Sequence, residues 1–286
     1  MGVVINTNIS SISAARSLAT TRADLERSME RLSSGKRING AKDDAAGMSV
    51  VTRMKAQISS LNQAVRNAND GISLVSTFDG AADEIEDILV RMRELATLAQ
   101  NGSYTTADTA NASLEFTALK NEIDRIQSKT KFNASLDISS TDAAQTYSFQ
   151  VGFNGGDAVS IAFGSLEASA LAGGTVAHGF TNGFSAAAQA SQITHAASAV
   201  TVADAMLSNL NLNRATAGAV INRLEHTISN LMNVVQRTEE ARSRIEDADF
   251  AAESAAMARA NVLVQAGSAM LAQANQSPQY ILALLR

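Results

Sequence analysis

Apolar residues recur at steps of three and four along both ends of the chain, and this spacing predicts long amphipathic helices there. The first stripe predicts a helix of about 25–30 residues. Turn-forming residues from 33 to 40 end it. Asp43 and Asp44 then stand where a cap for the next helix is expected. The members of this stripe are Ile5, Ile9, Ile12, Leu18, Leu25, Met29 and Leu32.

The most regular stripe lies between residues 58 and 99, and its alternation of three and four over several heptads predicts a coiled-coil seam. Asn101-Gly102 closes this helix, and another is predicted from about Leu114 to about Lys129. The C-terminal end mirrors the pattern over 217–238 and, with smaller residues, over 256–274. The members between 58 and 99 are Ile58, Leu61, Val65, Ala68, Ile72, Val75, Phe78, Ala82, Ile85, Leu89, Met92, Ala96 and Ala99.

The period changes in the middle of the chain. Apolar residues alternate from Tyr147 to Phe153 and again from Val159 to Phe163, on either side of a turn at 154–157. This predicts a β-hairpin. Residues 164–185 are predicted to be loop, with a helix resuming near Ser185. The whole pattern indicates a mainly α chain: an elongated antiparallel coiled-coil rod of paired N- and C-terminal helices, with a small β-hairpin region between them.

Composition narrows the function. Segment 132–213 holds no Lys or Arg, and the net charge is −5, so there is no basic surface for nucleic acid. Aromatic residues make up 4% of the chain and Trp is absent, which favours close helix packing over one thick core. Cysteine is absent, so thiol chemistry is excluded. The first residues do not have the pattern of a secretory signal peptide, and no apolar run is long enough to span a membrane.

No residue set indicates catalysis. The pairs Asp43–Asp44 and Asp247–Asp249 are interpreted as helix caps rather than metal ligands. His178, His195 and His226 lack the spacing of a zinc site. The turn at 154–157 is not followed by the Lys-Ser/Thr of a phosphate loop, and no Ser-His-Asp set is indicated. We therefore expect neither an enzyme nor a cofactor or metal site.

Long motifs at both ends resemble the bacterial flagellins. At the N-terminus these are 4–8 (VINTN), 32–39 (LSSGKRIN) and 41–47 (AKDDAAG). At the C-terminus they are 241–249 (ARSRIEDAD), 265–267 (QAG) and 272–276 (AQANQ). The similarity covers everything except roughly residues 138–200, and the motifs stand at both ends in the right order.

The resemblance implies a domain plan. Residues 1–40 and 247–286 would form a terminal inner-tube helical domain. Residues 41–138 and 200–246 would form a helical rod domain, on which the hairpin packs. Residues 139–199 would carry the hairpin and a short variable surface segment. Flagellins with large outer domains have a longer insertion there.

The resemblance also implies function and partners. The chain would self-assemble head-to-tail into the helical flagellar filament, outside the cell, after export without a cleaved signal peptide. Its partners would be copies of itself, the flagellar export apparatus, a secretion chaperone on residues 250–286, and the hook-associated and cap proteins. The assembly contacts would involve Ile5, Ile9, Ile12, Leu18, Leu263, Met270, Leu284 and Leu285.

Two further expectations accompany this interpretation. Arg91, Arg93, Glu94, Leu95 and Glu115 match a helix face that the vertebrate innate receptor Toll-like receptor 5 recognises in some flagellins, although Val90 departs from the polar residue usual there. The alternative functions are a hook–filament junction protein, which has similar termini, and a cell-surface adhesin or binding protein acting through residues 164–200.

Overall fold

The chain is mainly α-helical, as the periodicity predicts. The computed structural model describes residues 8–132, 145–163 and 189–284, with no description of the side chains at 145, 163, 189–192 and 277–284. The elements are α1 (Ile9–Ser34), α2 (Ala45–Ala99), α3 (Thr106–Lys129), β1 (Gln145–Gln150), β2 (Ala158–Phe163), α4 (Gln189–Glu246) and α5 (Phe250–Leu284).

Side-chain caps fix where the helices begin. Asp44 accepts a hydrogen bond from the Gly47 amide at 2.8 Å, which confirms the predicted cap of α2. Thr105 and Asp108 form a reciprocal capping box at the start of α3. Gly35 follows the last residue of α1 and takes the left-handed conformation, with φ of 69°, that commonly ends a helix. The predicted break after α1 and the predicted cap of α2 are therefore confirmed, whereas the capping box of α3 was not predicted.

The chain divides into two compact units, residues 1–58 with 235–286 (unit 1) and residues 59–234 (unit 2). The core of unit 2 is built on the predicted α2 seam, whose members are buried or half-buried. α4 contributes Leu210, Ala217 and Leu224 to the same core. The predicted coiled-coil face of α2 is thus confirmed. The predicted start of α4 near Ser185 lies outside the described residues.

The helix predicted over residues 114–129 exists and begins earlier, at Thr106. Its apolar residues Leu119, Ile123 and Ile126 lie on the core side as predicted, but Leu114 does not. Leu114 is 72% exposed, whereas Phe116 is fully buried. The buried line also includes Thr109, Ser113 and Gln127. Polar residues at these positions hid the true helical stripe, since a pattern search reads only apolar residues.

The β-hairpin is confirmed, with a shorter first strand than the alternation suggests. Tyr147 pairs with Ile161 and Phe149 with Val159 in antiparallel register. β1 ends at Gln150, whose carbonyl accepts a hydrogen bond from Asn67 Nδ2 of α2 at 2.9 Å. A Cβ at Gly71 would lie 3.3 Å from the Phe149 ring. The absence of a side chain on α2 at this point therefore lets the hairpin pack closely on the helix.

In unit 1, α1 and α5 pack antiparallel. Asn8 Nδ2 donates to the Ala274 carbonyl at 2.7 Å, and Ser11 Oγ donates to Asn275 Oδ1 at 2.6 Å. Near the other end of α1, Arg31 lies 3.8 Å from Glu253. The N-terminal part of α1 therefore lies against the C-terminal part of α5. The two ends of the sequence cover each other, as expected.

The hydrogen bond to Ala274 compensates for a proline inside α5. Pro278 has no backbone N–H, so the carbonyl four residues earlier, that of Ala274, loses its helical donor. Asn8 supplies the replacement from α1. The same side chain caps α1, because its Oδ1 accepts from the Ser11 amide at 3.1 Å. The side chain of Asn8 thus provides an acceptor for an amide at the start of α1 and a donor for a carbonyl inside α5, which are far apart in sequence.

We expect the two bonds of Asn8 to separate by mutation. Asn8→Ser keeps a capping oxygen but is too short to reach Ala274, whereas Asn8→Ala loses both bonds. The alanine variant should destabilise the helix pair by about 1–2 kcal/mol, and the serine variant by less. The readout is the melting of purified filaments followed by helical circular dichroism, with Ser10→Ala as an exposed control on the same helix. If Asn8→Ser melts like the wild type, the bond to Ala274 contributes nothing.

Candidate assembly surface

Small side chains line the seam between α1 and α5. A Cβ added at Gly267 would lie 3.2 Å from Leu18 Cδ1, so the glycine admits the leucine directly against the α5 backbone. The inward positions of α1 are Ser11, Ala14, Leu18, Thr21, Leu25 and Ser28. Those of α5 are Ala256, Ala260, Val264, Gly267, Leu271 and Ala274. A seam of this kind brings the helices close together but has no room for many large apolar residues.

Several large apolar residues of these helices lie outside the seam. On α1, Ile9 and Ile12 are 71% and 63% exposed. On α5, Leu263 and Met270 are 50% and 63% exposed, and Phe250 and Val262 are exposed as well. We call these six residues the outer apolar face.

The predicted assembly residues therefore fall into three groups. Ile9, Ile12, Leu263 and Met270 belong to the outer apolar face. Leu18 is buried in the seam of its own subunit, so it supports the helix pair rather than presenting a surface. Ile5 and Leu285 lie outside the described residues, and Leu284 ends α5 with its side chain outside the described part.

A corner of backbone hydrogen bonds holds the segment between α4 and α5. The Arg37 amide donates to the Glu246 carbonyl at 2.7 Å, and the Ala248 amide donates to the Gly35 carbonyl at 3.0 Å. Arg37 Nη2 also donates to the Ile245 carbonyl at 2.6 Å. The last carbonyls of α4, which have no helical donors, are thus satisfied from the loop that follows α1. Two motifs from opposite ends of the sequence meet here.

A buried carboxylate lies at this corner. Glu246 has a side chain only 5% exposed, and its oxygens lie 2.6 Å from Lys55 Nζ, 3.1 Å from Lys36 Nζ and 3.7 Å from Arg242 Nε. Burial by itself raises the pKa of Glu246, but the ion pairs with Lys55 and Lys36 outweigh it, so the pKa lies below its ordinary value of 4.5. A lowered pKa in the folded state means that Glu246 stabilises the fold above about pH 4.5 and loses this effect as pH falls further.

In unit 2, most of the residues predicted as a receptor-binding or axial contact face are exposed and form ion pairs. Arg91 pairs with Glu115 at 2.9 Å and with Glu94 at 3.0 Å. The hydrogen bond from Arg91 to Glu115 is the main reason why the pKa of Arg91 is raised. Arg93 pairs with Asp204 of α4 at 2.6 Å. Leu95, by contrast, is 4% exposed and packs in the core.

Sequence reasoning missed an ion cluster on unit 2. Arg214 of α4 contacts Asp79 at 2.9 Å and Asp83 at 3.1 Å, and it also pairs with Glu86. Burial lowers the pKa of Arg214, but the three carboxylates outweigh it and the net direction is upward. The sequence could have indicated this cluster through the spacing of Asp79, Asp83 and Glu86, since residues four and seven apart share one helix face. The cluster joins α2 to α4.

The described residues contain no metal-binding group of three or more histidines and carboxylates. Within the same ranges, no helix is long and apolar enough to cross a membrane.

Comparison with known proteins identifies the family. The bacterial flagellin N-terminal helical region matches residues 5–136, and the bacterial flagellin C-terminal helical region matches residues 200–285. The chain belongs to the bacterial flagellin family. It is 41% identical to a flagellin of Halalkalibacterium halodurans over 99% of this chain and 100% of that one.

Other relatives agree over almost the full length. Identity is 39% with a flagellin of Bacillus subtilis, over 99% of both chains. It is 37% with a flagellin of Listeria innocua, over 98% of this chain and 99% of that one. A crystal structure of Bacillus cereus flagellin aligns with 58% of this chain and 88% of that one, at 33% identity and a TM-score of 0.46.

Membership of this family decides the class of function. The chain is a structural subunit of the extracellular flagellar filament, it polymerises with copies of itself, and it is not an enzyme. The hook–filament junction and adhesin alternatives are not favoured.

Neutralising the corner carboxylate should remove an acid-sensitive part of the stability. Glu246→Gln loses the charge that Lys36 and Lys55 face, and we expect a loss of about 1–2 kcal/mol at pH 7, because both lysines are partly in water. The difference from the wild type should shrink as pH falls further below about 4.5, because protonation of the wild-type carboxylate removes the same charge. The measurement is urea-induced unfolding in filaments at several pH values.

Glu240→Gln is the matched control, because Glu240 pairs at 3.4 Å with an Arg237 whose side chain is 80% exposed. A Glu246→Gln deficit that stays constant from pH 7 to pH 3 would contradict the assignment.

Proposed function

We propose that the outer apolar face of α1 and α5 is the surface that neighbouring subunits cover when the filament forms. Its residues are more than half exposed in the single subunit, or half exposed in the case of Leu263. Large apolar side chains exposed on a soluble chain indicate an interaction site, since their burial is favourable by roughly 25 cal/mol per Å². The exposure of these six residues is the observation that carries the proposal.

The α1–α5 seam explains why the face remains free for other copies. Each helix covers the small residues of the other, so the pair is already satisfied along that side. The larger residues can be covered only by a different molecule or by a different part of the chain. If each copy uses one part of the face on one neighbour and another part on the next, addition is heterologous and need not close into a ring.

Ile5, Leu284 and Leu285 stay in the proposal on sequence grounds. They continue the apolar series beyond both described ends of the helix pair. The same holds for the domain plan, in which residues 1–40 and 247–286 form the inner tube, 41–138 and 200–246 the surrounding helical domain, and 139–199 the surface segment. Covering this much apolar chain on assembly would offset the entropy of ordering the termini.

The exposed apolar side chains of the outer apolar face also need to be covered by a partner before the subunit assembles. We place the secretion chaperone on residues 250–286, because Phe250, Val262, Leu263 and Met270 lie there and are exposed. The export apparatus and the hook-associated and cap proteins complete the proposed set of partners. A chain truncated after residue 249 should lose chaperone binding in a pull-down, and retained binding would exclude this placement.

The polar face at Arg91, Arg93, Glu94 and Glu115 is the proposed contact for Toll-like receptor 5. Its guanidinium groups are exposed and are held in place by carboxylates of the same subunit. Arg91→Ala should lower the receptor-reporter response to purified monomer, whereas Arg66→Ala, an exposed arginine bonded to Gln63 on the same helix, should leave it unchanged. Equal responses from both variants would remove this face from the proposal.

Polar substitutions on the outer apolar face should weaken polymerisation. Leu263→Ser and Met270→Ser each remove part of an apolar contact, and about half of each side chain remains to be covered. We expect a cost of about 1–2 kcal/mol each, which corresponds to a rise of roughly 5–30-fold in the critical concentration for polymerisation.

Sedimentation of seeded filaments measures this concentration. The controls Leu263→Met and Met270→Leu conserve volume and apolarity and should stay near the wild type. Wild-type polymerisation of both serine variants would show that the face is not covered in the filament.

A further inference from the structure

A groove runs beside the α1–α5 seam and differs in character from the outer apolar face. Its volume is about 330 Å³, roughly ten times the ~30 Å³ that one water occupies in the liquid. Polar and charged side chains from both helices dominate its walls, and Leu263 forms part of its rim. The lining residues are Thr21, Asp24, Arg27, Ser28, Arg31, Glu253, Ala256, Arg259, Ala260 and Leu263.

The groove has an excess of positive charge. Arg27 is paired with Asp24 at 3.2 Å, and Arg31 lies 3.8 Å from Glu253. The Nε atom of Arg31 is buried and has no hydrogen-bond acceptor. Arg259 is exposed and has no ion pair within the described residues. Three guanidiniums therefore face two carboxylates, and buried guanidinium donors without acceptors are unfavourable.

The opposite imbalance occurs elsewhere on α1. Glu26 and Glu30 are exposed, and neither has an ion-pair partner in the part of the chain that the structure describes. They lie four residues apart, so they occupy adjacent positions on one helix face, where like charges disfavour each other. A surface of this kind is complementary to the groove in charge.

We propose that the groove of one subunit binds the Glu26 and Glu30 carboxylates of a second copy in the filament. This inference rests on the proposed function, because it requires copies to meet along α1 and α5. The groove is continuous with the outer apolar face through Leu263, so a neighbour that covers that face also reaches the groove. The groove and the acidic face are different surfaces of the same chain, so the contact repeats from copy to copy.

The electrostatic role of this contact is to set register. Apolar surfaces such as Leu263 and Met270 are tolerant of sliding, whereas charged pairs across an interface fix orientation and reject wrong partners. The exposed Arg259 guanidinium would gain acceptors only when the neighbour is correctly placed.

A charge exchange within one chain tests the proposal. Arg259→Glu, Glu26→Arg and Glu30→Arg should each raise the critical concentration for polymerisation by about tenfold at low salt. The double variants Arg259→Glu/Glu26→Arg and Arg259→Glu/Glu30→Arg carry both exchanged charges on every copy. At least one of them should return to within about twofold of the wild type, because the pair re-forms with reversed polarity.

Matched controls separate this from a general effect of charge. Arg244→Glu replaces an exposed arginine outside the groove, and combining it with Glu26→Arg or Glu30→Arg should give no rescue. The effect of the single variants should diminish as salt is added, since exposed charges are screened. Circular dichroism of the filaments that each variant forms above its critical concentration excludes a loss of folding, which none of these exposed positions should cause.

The inference is overturned if the single variants polymerise like the wild type, or if neither double variant improves on its worse parent. Its failure can be told apart from failure of the proposed function. Should Leu263→Ser and Met270→Ser weaken polymerisation while the charge exchange has no effect, the outer apolar face stands and the groove contact does not.

Discussion

The close approach of α1 and α5 is the constraint on which the rest of unit 1 depends. Gly267 admits Leu18 against the α5 backbone, and the other seam positions are mostly small. The seam accommodates only a few bulky side chains, such as Leu18 and Leu271, and Ile9, Ile12 and Met270 remain outside it. The apolar surface available to other subunits is therefore a consequence of how closely α1 and α5 of one subunit pack. Wider side chains at the seam would alter the intramolecular pairing and the intermolecular surface together.

Polar interactions fix the register of this pairing, which small residues alone leave loosely specified. Asn8 supplies the donor that Pro278 lacks at one end of the helix pair. At the other end, Glu246 forms ion pairs with Lys36 and Lys55. These ion pairs lie beside the backbone hydrogen bonds between residues 35–37 and 246–248. Both contacts join residues that are more than 180 positions apart in sequence. Moving either helix by one turn would leave a carbonyl without a donor or a buried carboxylate without its cations, and each is costly.

The helices, their caps and the α2 seam could be predicted from the sequence, because each depends on neighbours within a few turns. Asp44 capping α2 and the pairing of Phe149 with Val159 are of this local kind. The buried side of the first turns of α3 could not, since Thr109 and Ser113 are buried there and Leu114 is exposed. The same limit applies to the candidate site. Periodicity finds Ile9, Ile12, Leu18, Leu263 and Met270 as one class, and only the three-dimensional pairing separates Leu18 from the exposed four. The ion-pair partners of Glu246 and Arg214 come from distant segments, so no local sequence pattern indicates these pairs.

Side-chain accessibility before and after polymerisation tests the central claim most directly. The chain contains no cysteine, so a single Leu263→Cys or Met270→Cys variant reports one position with a water-soluble maleimide. Asn154→Cys, in the exposed hairpin turn, serves as the reference. We predict that positions 263 and 270 react readily in the monomer and become protected in the filament, while position 154 reacts in both. Equal reactivity at 263 and 270 in monomer and filament would contradict the account.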